Sequence, residues 1–161
     1  MSEIIVIAHN IRSTHNVGAI FRTAEGFGVQ KIILSGYTPY PTATNDQRLP
    51  HIAEKLTAQI HKTALGAEVM VPFEYQETPE LSALKRAGYT IVGLEQDIRS
   101  KLLPEYTAPK KIALLLGEEV EGITDELREL CDDLIEIPMH GKKESFNVSV
   151  ASGIALYGLL Y

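Results

Sequence analysis

Short apolar runs, many of them rich in β-branched residues, alternate along the chain with stretches in which apolar positions recur at helical spacing. Runs of the first kind predict six strands. They lie at residues 4–8, 31–34, 69–71, 89–94, 112–116 and 134–137. Stretches of the second kind predict five helices. These cover residues 16–26, 52–64, 79–87 and 147–160, and the remaining one begins at Thr124.

The alternation of strands and helices defines the expected fold class. Continuous apolar strands joined by helices indicate an α/β protein, with a mostly parallel sheet covered by helices on both faces. Ligands of such sheets bind beyond the carboxyl ends of the strands, which directs attention to the loops after Ala8, Leu94, Leu116 and Ile137. The helix at 147–160 is apolar in nearly every direction, so we expect it to be buried on several sides.

Composition narrows the class of protein. The chain has 161 residues, of which 45% are apolar and 22% charged, as expected for one globular domain. Cys131 is the single cysteine, which excludes an internal disulfide and a multi-cysteine zinc site and predicts a reducing, cytoplasmic location. It follows an acidic stretch that would raise its pKa, so a packing role is expected. No apolar run is long enough for a membrane span, and the first residues lack the pattern of a signal peptide.

Charge is unevenly distributed. The net charge is −6, but residues 118–136 hold nine acids and one base, which leaves 14 bases against 12 acids elsewhere. A local basic face is therefore compatible with the acidic total. It would include Arg12, Arg22, Arg48, Lys142 and Lys143.

Several common chemistries are poorly supported. Residues 117–122 have the glycine spacing of a phosphate-binding P-loop, but Ile123 and Thr124 replace its Lys and Ser/Thr pair and three carboxylates would repel phosphate. A tight turn between strand and helix explains these glycines equally well. The five histidines lack the spacing of a zinc helix, and no nucleophile-elbow pattern occurs.

Two polar segments are more informative. Asn10, Arg12, Asn16, Gly18 and Arg22 follow the first predicted strand and continue into a helix. Arg22 lies among apolar positions, where a charge needs either exposure or a partner, and Asn16 can either cap the helix or orient a neighbouring side chain.

The second segment runs from the last predicted strand through a polar loop to the final helix, over residues 137–151. Ser145 and Asn147 have short polar side chains that can cap that helix. Capping does not account for the sequence Ile137-Pro138-Met139 that precedes them.

Together with the segment at 116–122, these stretches resemble, in order, the three motifs of the SpoU/TrmH family of the SPOUT superfamily, and the resemblance covers nearly the whole chain. It implies transfer of a methyl group from S-adenosylmethionine to a ribose 2′-hydroxyl of tRNA or rRNA. It also implies a C-terminal deep trefoil knot, a feature that is nearly absent from other folds. Phe146 stands where the family usually has leucine, which still permits an apolar contact.

The resemblance assigns roles to individual residues. The cofactor pocket would be lined by Leu94, Gly117, Ile137, Met139, Ser145 and Phe146. The catalytic set would be Arg22, Asn16 as the residue that orients it, Glu119, Ser145 and Asn147. The RNA contacts would be Arg12, Arg22, Lys142 and Lys143, and no metal is implied.

Some alternatives stay open at this point. Arginine is a poor proton acceptor, so Arg22 can act as a base or as an electrostatic stabiliser. The resemblance further implies a homodimer that completes the active site. Many relatives carry an extra RNA-binding domain, whereas the three motifs here span nearly the whole chain, so we expect this single domain to bind RNA itself. Several minimal relatives act on tRNA, which favours tRNA over rRNA. The competing interpretations are an RNA base methyltransferase and a non-catalytic knotted module or partner subunit that binds RNA or S-adenosylmethionine. The intact polar set favours an enzyme over the non-catalytic module, and the first-motif arginine, Arg22, favours ribose over base methylation.

Overall fold

A computed structural model describes residues 1–161 and contains seven strands and five helices. The strands are β1 (Glu3–His9), β2 (Lys31–Ser35), β3 (Phe73–Gln76), β4 (Thr90–Leu94), β5 (Lys101–Leu102), β6 (Lys111–Leu116) and β7 (Asp133–Glu136). The helices are α1 (Thr14–Gly26), α2 (Pro50–Ala64), α3 (Leu81–Arg86), α4 (Asp125–Leu130) and α5 (Val148–Leu160). Single 3₁₀ turns occupy Ala67–Val69 and Leu103–Glu105.

All seven strands form one parallel sheet in the order β3-β2-β1-β6-β4-β7-β5. β6 is central, with Leu114 in register with Val6 of β1 on one side and Val92 of β4 on the other. The predicted parallel α/β fold is thereby confirmed. Because every strand points the same way, all carboxyl ends meet at one edge of the sheet, where the loops after β1, β4, β6 and β7 lie.

The sheet buries a core on each face. Alternate residues of β1 point in opposite directions, so Ile4 and Val6 join the larger core and Ile5 and Ile7 the smaller one. The larger core is closed by α1, α2 and α5, and the smaller by α3 and α4. Helices therefore cover both faces, as expected.

The strand predicted at residues 69–71 is wrong. Leu65 and Gly66 adopt positive φ angles of 51° and 101°, and the chain then enters the 3₁₀ turn instead of extending. Val69 is 84% exposed, and the third strand begins only at Phe73. Val69 and Met70 thus lie on the surface of a turn, because the preceding backbone reversal directs them away from the sheet, and Val71 returns to the larger core.

Two smaller departures concern element boundaries. The helix expected to begin at Pro79 begins at Leu81, with Glu80 as its N-cap residue. β5 was not predicted, since it has two residues and its pairing with β7 holds it at the edge of the sheet.

The expectation that the last helix is buried on several sides is wrong for the single chain. Its buried residues are Ser152, Ala155, Leu156 and Leu159. Val150 and Tyr157 point to solvent, and Tyr157 is 62% exposed. α5 therefore presents an unpartnered apolar face. None of the five helices combines the length and the hydropathy needed to cross a membrane.

Candidate active site

A cavity of about 260 Å³ opens where the loops after β4, β6 and β7 meet. All six residues that the resemblance assigned to the cofactor line it: Leu94, Gly117, Ile137, Met139, Ser145 and Phe146. The loop after β1 does not contribute to its wall. Three of the four strand-end loops that were expected to bind a ligand therefore line the cavity.

The loop after β6 is closed on itself. Glu118 and Gly122 exchange two backbone hydrogen bonds of 3.2 and 2.8 Å. A Cβ on Gly117 would lie 2.5 Å from the carbonyl carbon of Gly122, and Gly122 itself has a φ of 71°. Both glycines are therefore required by the packing of the loop, before any ligand is considered.

Glu95 fixes this loop to the end of β4. One carboxylate oxygen accepts a hydrogen bond of 2.7 Å from the Ile123 amide, and the other accepts one of 2.9 Å from the Gln96 amide. Gln96 in turn donates to the Glu144 carbonyl oxygen across 2.5 Å, so the loop after β4 also holds the segment before α5. Neither residue was predicted from the sequence, although their position directly after a predicted strand could have indicated them.

The lining of the cavity is strongly acidic. It includes six carboxylates and neither lysine nor arginine. These residues are Glu95, Glu118, Glu119, Glu121, Glu136 and Glu144. Such a wall disfavours phosphate and favours a ligand with positive charge. The exclusion of a P-loop function by the sequence agrees with this geometry.

Three of the predicted catalytic residues form a hydrogen-bonded chain. The Asn16 side-chain amide donates to Glu119 Oε1 across 2.9 Å, and the Asn147 amide donates to Asn16 Oδ1 across 3.2 Å. Asn147 also caps α5, since its Oδ1 accepts a hydrogen bond of 2.9 Å from the Ser149 amide. α1 is capped by Ser13 instead of Asn16, which leaves the Asn16 side chain available for these contacts.

Arg22 takes no part in the hydrogen-bonded set of Asn16, Glu119 and Asn147. It is exposed on α1, makes no hydrogen bond or ion pair, and does not line the cavity. The Asn16 amide, expected to orient Arg22, is bonded to Glu119 and Asn147 instead. Ser145 lines the cavity without a side-chain hydrogen-bond partner. The structure of one chain therefore brings together Asn16, Glu119 and Asn147, with Ser145 nearby, and leaves Arg22 apart.

The residues expected to contact RNA are all exposed. Lys142 and Lys143 lie on the loop between β7 and α5. Arg12 lies between β1 and α1, with its guanidinium carbon 5.6 Å from the centre of the Tyr37 ring. No cluster of three or more His, Cys, Asp or Glu side chains has the arrangement of a metal site.

Cys131 is half-buried directly after α4, where its thiol donates to the Leu127 carbonyl oxygen across 3.4 Å. Burial is the main cause that raises the pKa of the thiol, to about 11, and the neighbouring Asp132 adds to it. The acidic surroundings predicted from the sequence therefore contribute less to the raised pKa than burial does.

Comparison with known proteins identifies the family. The chain matches the SpoU rRNA Methylase family over residues 3–157. It is 35% identical over 156 residues to the 23S rRNA (guanosine-2′-O-)-methyltransferase RlmB of Nitrosomonas europaea, covering 96% of this chain and 54% of the relative. It is 34% identical over 155 residues to the tRNA (guanosine(18)-2′-O)-methyltransferase of Aquifex aeolicus, covering 96% of this chain and 67% of that enzyme. The chain belongs to the SpoU rRNA methylase family.

Solved structures agree with the fold. The AdoMet-bound rRNA methyltransferase of Sinorhizobium meliloti superposes with a TM-score of 0.81 at 26% identity, over 98% of this chain and 55% of that one. The TrmH/SpoU tRNA modifying enzyme of A. aeolicus gives a TM-score of 0.79 at 29% identity, over 99% of this chain and 74% of that one. The chain spans about half the length of the rRNA methyltransferases that it matches.

Proposed function

We propose that the protein transfers a methyl group from S-adenosylmethionine to a ribose 2′-hydroxyl of structured RNA, with tRNA favoured over rRNA. One observation carries this proposal: the acidic cavity at the strand ends is bordered by the hydrogen-bonded chain of Glu119, Asn16 and Asn147. Both relatives compared above are named as RNA 2′-O-methyltransferases, one for tRNA and one for rRNA.

The cavity suits this cofactor in shape and in charge. Ile137, Met139 and Phe146 offer apolar contacts for an adenine ring, and Leu94 extends the same wall. The carboxylates of the lining favour an ammonium and a sulfonium group, and the cofactor carries no phosphate that they would repel. Gly117 and Ser145 complete the set that would hold it. When bound, the cofactor supplies an electrophilic methyl group.

The protein's own polar groups would act by positioning and by charge. Asn16 and Asn147 hold one another and Glu119 in a fixed arrangement at the cavity edge, which reduces the freedom that must be lost before an in-line transfer. The guanidinium group of Arg22 is suited to stabilise a developing alkoxide or to bind the adjacent phosphate. We favour this electrostatic role over proton abstraction.

Arg22 is expected to reach the site through dimerisation. Thr23, its neighbour, faces α5, since a Cβ on Gly153 would lie 3.5 Å from Thr23 Cγ2. Arg22 precedes Thr23 on α1, next to the helix α5, whose exposed apolar face we define by Val150, Ile154, Tyr157 and Tyr161. We propose that this face pairs with its copy in a homodimer and that Arg22 contributes to the site at that interface.

Three further features belong to the same proposal. A C-terminal trefoil knot is proposed on the ground of the family match over residues 3–157. The domain itself would bind RNA through exposed basic side chains, those of Arg12, Arg22, Lys142 and Lys143. The single cysteine supports a cytoplasmic location.

The test uses labelled S-adenosylmethionine and unmodified total RNA, followed by alkaline digestion. Label in alkali-resistant dinucleotides is expected, because a 2′-O-methyl group removes the nucleophile of alkaline cleavage. Arg22→Ala should abolish the label while cofactor binding is retained, and Arg86→Ala, which changes an exposed arginine on α3, should leave both unchanged. Label confined to mononucleotides would instead establish base methylation. Cofactor binding without transfer to any RNA would favour the non-catalytic module.

A further inference from the structure

A second groove of about 670 Å³ lies at the same edge of the sheet, beyond β1 and β2. It is lined by the residues that precede and begin α1 and by the loop after β2. These include Arg12, Ser13, Thr14, His15, Tyr37, Tyr40, Arg48 and Tyr75. Its end on the first turn of α1 is adjacent to Asn16, which follows His15 in the helix. The groove therefore ends one residue from Asn16, a member of the hydrogen-bonded set of the candidate active site.

The wall of the groove is held by hydrogen bonds between the two loops. The Tyr37 amide donates to Asn10 Oδ1 across 3.1 Å, and Thr38 Oγ1 donates to the Ala8 carbonyl oxygen across 3.0 Å. Thr38 Oγ1 also accepts a hydrogen bond of 3.0 Å from the Ile11 amide. The loops after β1 and β2 are thus fixed relative to each other, and the groove is formed before any ligand binds.

Aromatic rings form one side of the groove. Tyr40 is stacked on Tyr75 with ring centres 4.3 Å apart, and the Arg48 guanidinium lies 3.5 Å from the centre of the Tyr40 ring. Tyr40 is therefore covered by its neighbours, whereas Tyr75 remains 38% exposed and Tyr37 49% exposed. The Tyr75 hydroxyl donates to the Gly36 carbonyl oxygen across 2.7 Å, which fixes the orientation of its ring. The oriented ring of Tyr75 and the exposed ring of Tyr37 thus offer free surface to a ligand.

The charge of the groove contrasts with that of the cavity. No Asp or Glu lines it, although the protein carries a net charge of −6. Arg48 is neutralised by Asp46 across 2.6 Å and also donates to the Tyr40 and Pro41 carbonyl oxygens. Arg12 has no carboxylate partner and stands beside Tyr37. The groove therefore combines one available cation with exposed aromatic rings.

We propose that this groove binds a nucleotide of the RNA next to the one that enters the active site. Its base would stack on the exposed rings of Tyr37 and Tyr75, and Arg12 would bind its phosphate. Stacking on tyrosine requires an unpaired base, so the modified position would lie in a single-stranded loop or at an end of a helix. This inference rests on the proposed function, because it takes RNA as the substrate.

The first experiment reads RNA contact without turnover. A tRNA transcript containing 4-thiouridine is irradiated with the protein, digested with trypsin and nuclease, and analysed by mass spectrometry. Cleavage after Lys31, Arg48, Lys62 and Lys85 yields residues 32–48, which contain Tyr37, and residues 63–85, which contain Tyr75. We expect nucleotide adducts on these two peptides. Adducts confined to other peptides would overturn the proposal.

The second experiment separates stacking from charge. Tyr37→Ala is expected to raise the KM for RNA roughly five- to a hundredfold, and Tyr37→Phe, which keeps the ring, should raise it little. Arg12→Gln should raise the KM for RNA and reduce the dependence of binding on salt, whereas Tyr37→Ala should leave that dependence unchanged. Arg86→Gln is the matched control on α3. The Kd for S-adenosylmethionine should stay constant throughout.

The two proposals can fail separately. Methyl transfer with an unchanged KM for RNA in Tyr37→Ala would overturn the proposed role of the groove in RNA binding and would leave the proposed function standing. Adducts on the two peptides that disappear in Tyr37→Ala, without methyl transfer to any RNA, would support the groove as an RNA site and refute the activity.

Discussion

Asn147 donates a hydrogen bond of 3.2 Å to Asn16 although 131 positions separate the two residues in the chain. The contact joins the N-cap of α5 to the first turn of α1, so the two helices that border the candidate site are held to each other by their polar side chains. Asn16 also donates to Glu119. The carboxylate after β6 is therefore held directly by Asn16 and, through Asn16, by Asn147. Loss of one amide should therefore disturb the whole set.

Asn16→Asp tests this arrangement with a side chain of the same size. The new carboxylate cannot donate to Glu119 and would repel it, so we expect kcat for methyl transfer to fall about a hundredfold or more. The Kd for S-adenosylmethionine should change little, since Asn16 does not line the cavity. Kinetics with saturating RNA and calorimetry of cofactor binding measure the two quantities. Asn45→Asp makes the same change at an exposed loop position and should be silent, and an equal loss of activity there would contradict the assignment.

Gly18→Ala tests the packing that holds α1 in place. A Cβ at Gly18 would lie 2.1 Å from Thr63 Oγ1 and 2.3 Å from the Ile60 carbonyl oxygen of α2. The helices must separate to admit it, so we expect the free energy of unfolding to fall by about 1 to 3 kcal/mol despite the better helix propensity of alanine. Urea denaturation measures the change. Gly26→Ala is the matched control, because no atom lies within 4 Å of the added Cβ, and it should not destabilise the protein.

Much of the fold follows from local pattern. Five of the six predicted strands are present, since continuous apolar runs such as residues 112–116 can only be satisfied inside a covered sheet. The failure at residues 69–71 has a local cause, the positive φ angles of Leu65 and Gly66, which a run of apolar residues does not reveal. β5 depends on its pairing with Ile135 and Glu136 and has no pattern of its own.

The candidate site could be predicted only in part, because its contacts are distant in sequence. The motifs indicated Asn16, Glu119 and Asn147, but the hydrogen bonds among them depend on how β1, β6 and α5 are arranged in space. Tyr37 and Tyr75 belong to no motif, and only the tertiary structure brings their loops together.

The apolar face of α5 gives a prediction about assembly. Ile154 lies on this face and is 36% exposed in the single chain. In a symmetric contact, Ile154→Asp would bury one carboxylate from each protomer, and both burials are unfavourable. The substitution should therefore convert a dimer to a monomer and reduce methyl transfer. Light scattering coupled to gel filtration gives the mass. Ile98→Asp makes the same substitution on a fully exposed loop and should leave both mass and activity unchanged. A monomeric wild-type protein would exclude the proposed dimer.

Cys131 provides a prediction about pH and reactivity. Burial raises the pKa of its thiol to about 11 from a reference of 9.0, so the native protein holds a proton that the unfolded chain releases earlier. The stability that this thiol contributes is therefore fully present below pH 9 and is lost as the pH rises toward 11. At pH 8 we expect labelling by a disulfide reagent to be roughly a hundredfold slower in the native protein than in urea, because the thiolate is the reactive form. Stopped-flow absorbance measures both rates, and Cys131→Ser confirms that the signal comes from this thiol. Equal rates in the native and unfolded states would show that the thiol is not shielded and that its pKa is not raised. That result would contradict the packing role that we assign to Cys131.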